Sequence, residues 1–328
     1  MAKKILLING GGQFGAIPAY FLSLIKDGDF REKIDCLGGS SIGGILAAAY
    51  ASGVDPQEIS DIFLPNCKEV FKKRIWAKLN PLASPMYDSE PLDKLIYQYV
   101  GDRTIGDTKR LYPNMDLFLA GLDATEDYFK VWDNITGRDD DARLKDICKI
   151  TSAAPTYFDA VNIDGHAMVD CGLIDNTMIL TTTTGYKKRR HVPFKDMDVL
   201  LIGAGYLVDK EPLTFKKYDG LNQLGILFDL VLPYIVTSNE LASIFWARQL
   251  GFRNFYYFNP VITRGGLDET DLLEDTLADC TNWDADFMKI WHDFLSDEKR
   301  DPVKDVRELI ILPPEYSEKY YDREERNA

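Results

Sequence analysis

Ile5-Leu6-Leu7-Ile8-Asn9-Gly10-Gly11-Gly12-Gln13-Phe14-Gly15 is an apolar run that breaks into glycines, and Ile34-Asp35-Cys36-Leu37-Gly38-Gly39-Ser40-Ser41-Ile42-Gly43 repeats the pattern. A compact aliphatic run bounded by turn residues reads as a buried strand, here Ile5–Ile8 and Ile34–Leu37. Helices are expected behind both. Pro18, early in Ala16–Lys26, suits a first helical turn, and the alanine-rich Ile45–Ser52 is closed by Gly53. Strand, glycine turn and helix, twice over, predict an α/β fold: a mostly parallel central sheet with helices on both faces.

Further along, Leu117–Leu122 and Tyr128–Trp132 read as strands, and Leu144–Ala154 as a helix that stops before Pro155. Val161–Ile163 and Ala167–Val169 flank Asp164-Gly165 as a hairpin. Val199–Ile202 and Phe255–Phe258 are strand-like. Gly220–Leu250 and the acidic stretch Leu267–Trp291 read as helical. Without repeats or a low-complexity linker, one domain over 1–315 with a charged tail at 316–328 is expected. Residues 55–100 form a helical excursion, a cap or interfacial element. Lys68, Lys72, Lys73, Arg74 and Lys78 interleave there with Val70, Phe71, Ile75 and Trp76. Tyr186–His191 reads as a solvated basic loop.

The 328 residues carry a formal charge of −14, which disfavours nucleic acid as a partner and confines any contact with an anionic membrane to local patches. Five scattered cysteines fit neither a disulfide framework nor a zinc site. Four apolar residues after Met1-Ala2-Lys3-Lys4 are too few for a signal-peptide core. Leu224–Val236, broken by Asp229 and Pro233, is too short to span a bilayer. A reduced, cytoplasmic protein is expected.

Gly39-x-Ser41-x-Gly43 between a strand and a helix is the nucleophile-elbow pattern, which projects a serine above the sheet at the positive end of a helix. The first turn allows two chemistries. Gly10-x-Gly12-x-x-Gly15, with Asp35 about twenty residues on, matches the dinucleotide fingerprint and admits a nicotinamide-dependent oxidoreductase. Equally, the backbone N–H groups of Gly10, Gly11 and Gly12 form an oxyanion hole, in which each donor is worth about 3 kcal/mol of barrier. A serine needs a base. His191 and His292 lack suitable surroundings and His166 lies close before Asp170, so Asp170, after an apolar strand and before Gly172, is the candidate.

Taken in order, Asn9–Gly15, Gly39–Gly43 and Asp170–Gly172 resemble the patatin-like phospholipase family. Thr151-Ser152-Ala153-Ala154-Pro155-Thr156-Tyr157-Phe158, Val199–Gly205 and Phe255–Pro260 extend the likeness from about residue 5 to about residue 290. The resemblance implies a three-layer α/β sandwich and a phospholipase A type lipid acyl hydrolase that works through an acyl-serine. In it Ser41 is the nucleophile, Asp170 the general base, and Gly10, Gly11 and Gly12 the oxyanion hole. Gly15, Gly39, Gly43 and Gly172 complete the motifs. It implies a lipid or phospholipid substrate, a possible peripheral membrane contact and no metal or cofactor. The chain departs from the family pattern at Asn9 (usually Asp), at Phe14 (usually Arg or Lys), at Cys171 (usually Gly) and at Met178 (commonly Pro). Cys171 is expected to narrow the pocket. A catalytically degenerate lipid-binding or regulatory protein is the alternative that these departures suggest.

Overall fold

The computed structural model describes residues 1–26, 31–74, 85–207, 232–263 and 270–299. Its strands are β1 (Lys3–Ile8), β2 (Cys36–Gly39), β3 (Asp116–Asp123), β4 (Tyr128–Asp133), β5 (Val161–Ile163), β6 (His166–Val169), β7 (Met197–Ile202), β8 (Tyr206–Leu207), β9 (Asn254–Phe258) and β10 (Val261–Ile262). The main sheet runs β5-β6-β3-β2-β1-β7-β9, with β4 also on β3. The pairs β1–β2, β2–β3, β1–β7 and β7–β9 are parallel, whereas β4 and β6 run antiparallel to β3. The mostly parallel α/β sheet expected from the sequence is present.

Side chains alternate across this sheet, because successive residues of a strand point to opposite faces. Leu6, Ile8, Leu37, Leu117, Leu119, Leu200 and Ile202 face one core. Packed there are α1 (Ala16–Ser23), α2 (Ile42–Ala51), α3 (Pro56–Val70), α4 (Ser89–Val100), α6 (Leu144–Ser152), α10 (Leu273–Cys280) and α11 (Asp284–Leu295). Ile5, Leu7, Cys36, Phe118, Val199 and Leu201 face the other core, against α8 (Ile179–Arg190) and α9 (Leu232–Gln249). Two further short helices are α5 (Ile105–Leu111) and α7 (Gly172–Asp175).

Within 55–100, α3 and α4 put Ile59, Phe63, Cys67, Val70, Leu95, Ile96 and Tyr99 into the main core. Lys68, Lys72 and Lys73 are exposed. Ile75, Trp76 and Lys78 lie outside the described residues, as do the tail 316–328 and 220–231 of the longest expected helix. The Leu267–Trp291 stretch divides into α10 and α11 at a 3-10 turn, Thr281–Trp283. The second strand starts two residues later than its apolar run and continues into the glycines. Parallel pairing of Gly38 and Gly39 with Leu7 and Ile8 supplies what their side chains lack.

Tyr186–His191 is not a solvated loop. Tyr186–Arg190 is the last turn of α8, with His191 just after it, and its charges are used: Arg190 pairs with Asp116 at 2.6 Å, Arg189 with Asp133 at 2.7 Å, and Lys187 lies over the Phe194 ring. Periodicity is weak in this threonine-rich helix, so only the packing of Ile179, Thr182, Thr183 and Tyr186 onto the sheet identifies it.

Candidate active site

β3 explains how the site assembles. On one flank of β3, β2 climbs until Gly39 lies opposite Leu119. β4 occupies the other flank as far as Asp123, so β6 pairs on the β2 flank, descending until Val169 lies opposite Leu122. The two strands therefore approach end to end, and the turns that follow them meet over Ala120 and Gly121. Ser40-Ser41 comes from below and Asp170-Cys171 from above. Cys171 Sγ donates to the Ala120 carbonyl at 3.3 Å, inside this gap.

Ser41 carries φ 54°, ψ −129°, immediately before α2. That left-handed backbone is strained for a non-glycine residue, and close contacts on either side hold it. A Cβ on Gly39 would fall on the Gly43 carbonyl, and one on Gly43 would fall on the Ile8 carbonyl. The Ser41 N–H donates to Thr151 Oγ1 at 3.1 Å. The side chain thereby stands at the N-terminus of α2, half-exposed, with its hydroxyl against the Asp170 carboxyl.

Asp170 is 5% exposed. Its N–H donates to the Ala153 carbonyl at 3.0 Å, and its Oδ1 accepts the Gly172 N–H at 2.7 Å. Burial pushes its carboxyl up to about 7, against the pull of the Ser41 hydroxyl and the Gly172 N–H. Among the described residues no lysine, arginine or histidine pairs with it.

The glycine turn lies beside this pair. A Cβ on Gly10 would meet Ser41 Cβ at 2.9 Å and the Asn176 side chain, and one on Gly11 would fall on Ala204 Cβ. The three amides are not equivalent. Gly10 is buried and its N–H donates to the Asn176 carbonyl at 3.4 Å. Gly11 and Gly12 are half-exposed, and their N–H groups have no acceptor among the described residues. Gly15 permits close packing on Ile42 of α2.

Three residues beyond the expected set brace these turns. Asn176 Nδ2 donates to the Gly10 carbonyl at 3.2 Å, and its Oδ1 lies 3.1 Å from where a Gly172 Cβ would stand. Thr151 holds the Ser41 backbone, and Ser40 Oγ lies 3.4 Å from Cys171 Sγ. The sequence placed Thr151 and Ser40 inside motifs, without an assigned task for either.

Two departures read differently in three dimensions. Cys171 does not narrow the pocket: its fully buried side chain points beneath the turn, among Ala120 and Met178. Met178 sits at φ 55° before α8, a conformation that proline, fixed near φ −65°, does not adopt. The dinucleotide reading fails on geometry. Asp35 precedes β2 at the N-terminal end of the sheet, bonded to Lys3 Nζ at 2.7 Å and Lys4 N at 2.8 Å, whereas dinucleotides bind at the carboxyl ends of the strands. The histidines take no part. His166 pairs with Asp123 at 2.7 Å, His191 follows α8 in the left-handed region, and His292 is exposed on α11. Among the described residues, no group of three His, Cys, Asp or Glu side chains could hold a metal ion, and no helix is long and apolar enough to cross a membrane.

Comparison with known proteins agrees with the geometry. The family model described as patatin-like phospholipase matches residues 6–182. The chain is 29% identical over 291 residues to a "cGAMP-activated phospholipase" of Escherichia coli (strain TW11681), covering 79% of this chain and 80% of that protein. A protein of the same description from Vibrio cholerae serotype O1 is 29% identical over 280 residues, covering 75% and 77%. "Patatin-like protein 1" of Oryza sativa subsp. indica is 29% identical over 256 residues, covering 65% and 61%. A match that takes in both glycine turns, the strand-end gap over β3 and the aspartate turn leaves one assignment, and the chain belongs to the patatin-like phospholipase family.

Proposed function

We propose that this lipid hydrolase is a serine acyl hydrolase of phospholipase A type, in which Ser41 and Asp170 act as a dyad on acyl esters of glycerophospholipids or related lipids. The observation that carries the reading is the Ser41 hydroxyl set against a buried carboxyl that has no cationic partner among the described residues and is held near neutrality. A general base works best when its pKa lies close to the operating pH, and burial gives Asp170 that property.

In the acylation step Asp170 takes the hydroxyl proton as Ser41 Oγ attacks the ester carbonyl. The carbonyl oxygen becomes an oxyanion facing the Gly11 and Gly12 N–H groups and the N-terminus of α2. Gly10, whose amide is already engaged, acts by holding the turn against Asn176. Collapse of the intermediate breaks the ester bond. The lysolipid alkoxide leaves with the proton from Asp170, and Ser41 is left acylated. Water then gives its proton to Asp170 and attacks the acyl-serine, and the fatty acid departs as Ser41 Oγ takes that proton back from Asp170.

Residues 1–315 are taken as one catalytic domain. Peripheral contact with a lipid surface belongs to the same reading, through the uncharged exposed side chains Leu241, Phe245 and Trp246 of α9 and Ile174 of α7. The test is fluorophosphonate labelling with peptide mapping, together with fatty-acid release from phosphatidylcholine vesicles. Adduct on Ser41 and release that vanishes in Ser41→Ala support the dyad. Adduct on another serine would redirect the assignment. Vesicle binding without labelling or release would make the chain a degenerate lipid-binding protein.

A further inference from the structure

One acidic side chain beside the glycine turn takes no part in the chemistry above. Glu240 of α9 accepts a hydrogen bond from Tyr257 Oη, and its carboxyl lies against the side chain of Asn9. Asn9 immediately precedes Gly10 and is 1% exposed; its N–H donates to the Ile202 carbonyl at 3.0 Å, but its side-chain Oδ1 has no partner among the described residues. Tyr257, buried on β9, lies in turn against the side chain of Asn259. Asn259 Oδ1 accepts the Gly205 N–H at 2.7 Å, in the turn that carries Ala204 against Gly11. Four side chains thus join the two backbone turns that meet at the Gly11–Ala204 contact. The neighbouring residue of α9, Asn239, donates its Nδ2 to the Leu173 carbonyl in the aspartate turn. Consecutive residues of one helix therefore hold both halves of the site.

We propose that Glu240 is a positioning residue for the oxyanion turn, its carboxyl clamping Asn9 to Tyr257 so that the Gly11 and Gly12 N–H groups keep their place beside Ser41. The inference rests on the Ser41–Asp170 reading. It also gives a reason for asparagine at position 9. An amide can donate to Glu240, whereas an aspartate would set a second carboxyl against it, and two carboxyls sharing a site do not both ionise.

The full chain, as wild type and as Glu240→Ala, Glu240→Gln, Asn9→Asp and Asn9→Asp/Glu240→Gln, is assayed on soluble p-nitrophenyl butyrate. Fluorophosphonate labelling of Ser41 and the unfolding midpoint are read alongside. Losing a direct oxyanion donor costs about a hundredfold or more in kcat, so a residue one step removed should cost about tenfold. Glu240→Ala and Asn9→Asp are expected to lose that much kcat, with KM within about twofold and with slower labelling. Glu240→Gln keeps an acceptor for Tyr257 and a donor for Asn9 Oδ1, and is expected to stay within about threefold of wild type. The double variant restores one amide facing one carboxyl, with the two groups exchanged, and should recover most of the activity lost by Asn9→Asp. Wild-type kcat in Asn9→Asp or Glu240→Ala, no recovery in the double variant, or losses that follow only the unfolded fraction would overturn the assignment. A wild type unlabelled at Ser41 would sink the dyad reading and this one together, whereas a labelled wild type with indifferent variants sinks only this one.

Discussion

At the N-terminal end of the central sheet, Asp35, Asp116 and Asp198 each lie against a basic side chain: Lys3 at 2.7 Å, Lys109 and Arg190 at 2.6 Å, and Lys4 at 2.7 Å. At the C-terminal end, Asp170, Asp175 and Glu240 meet only neutral donors among the described residues, and burial pushes all three carboxyls up. The difference separates two uses of the same chemical group. A buried carboxylate matched with a cation ties strands to the helices and loops beneath them. One left with a hydroxyl and an amide is costly to ionise and is therefore able to exchange a proton near neutral pH. The fold secures the sheet at one end and leaves the other end reactive.

The sharpest way to break this comparison is to neutralise one carboxyl at each end. Asp170→Asn and Ser41→Ala are expected to lower fatty-acid release at least about a thousandfold with the fold intact, as judged by circular dichroism and thermal melting. Asp198→Asn should do the reverse. It leaves Lys4, which also donates to the Phe294 and Ser296 carbonyls, without a carboxylate partner among the described residues and should cost about 3 kcal/mol of stability in denaturant titration, while activity per folded molecule is kept. Loss of activity at both ends in proportion to unfolding would erase the distinction.

The pH profile sharpens it further. With Asp170 as the proposed base, the reaction needs the ionised form of its carboxyl, which lies near 7. On a soluble ester, kcat/KM should fall about tenfold per pH unit below that value and level off above it. A flat profile down to pH 5 would mean that the carboxyl is not held up as described. The smallest effect is on stability. A carboxyl raised in the folded state favours folding fully only below its unfolded value of 3.8, and loses that contribution as the pH climbs to about 7. Asp170→Asn should therefore be about as stable as wild type at pH 4 and more stable at pH 8, by about 2 kcal/mol once weakened interactions with Ser41 and Gly172 are discounted. Equal stability at both pH values would show that its burial is not costly.

Much of the fold was legible in the chain because its signals are local. The aliphatic runs at Ile5–Ile8 and Val199–Ile202 became parallel strands, and Asp164-Gly165, both at positive φ, turned the β5–β6 hairpin. The basic run at 186–191 was misread because its surroundings come from elsewhere: Asp116 and Asp133, which fix Arg190 and Arg189, lie far away in sequence. Cys171 was read as an intrusion, since sequence shows that a side chain is added but not which way it points.

By itself the sequence determined the residue types and the turns: a serine between Gly39 and Gly43, an aspartate at the end of an apolar strand, and glycines after the first strand. Tertiary structure alone decided that Ser41 and Asp170, 129 positions apart, should touch. The reason lies in β3, because β2 and β6 share one of its flanks from opposite directions and stop on either side of Ala120 and Gly121. It also decided which amides face the site, because the Gly10 N–H is taken by the carbonyl of Asn176 and those of Gly11 and Gly12 are not. Short-range pattern fixes what a backbone segment becomes, but the partner of each polar group is set by strand order and register, which bring distant segments together.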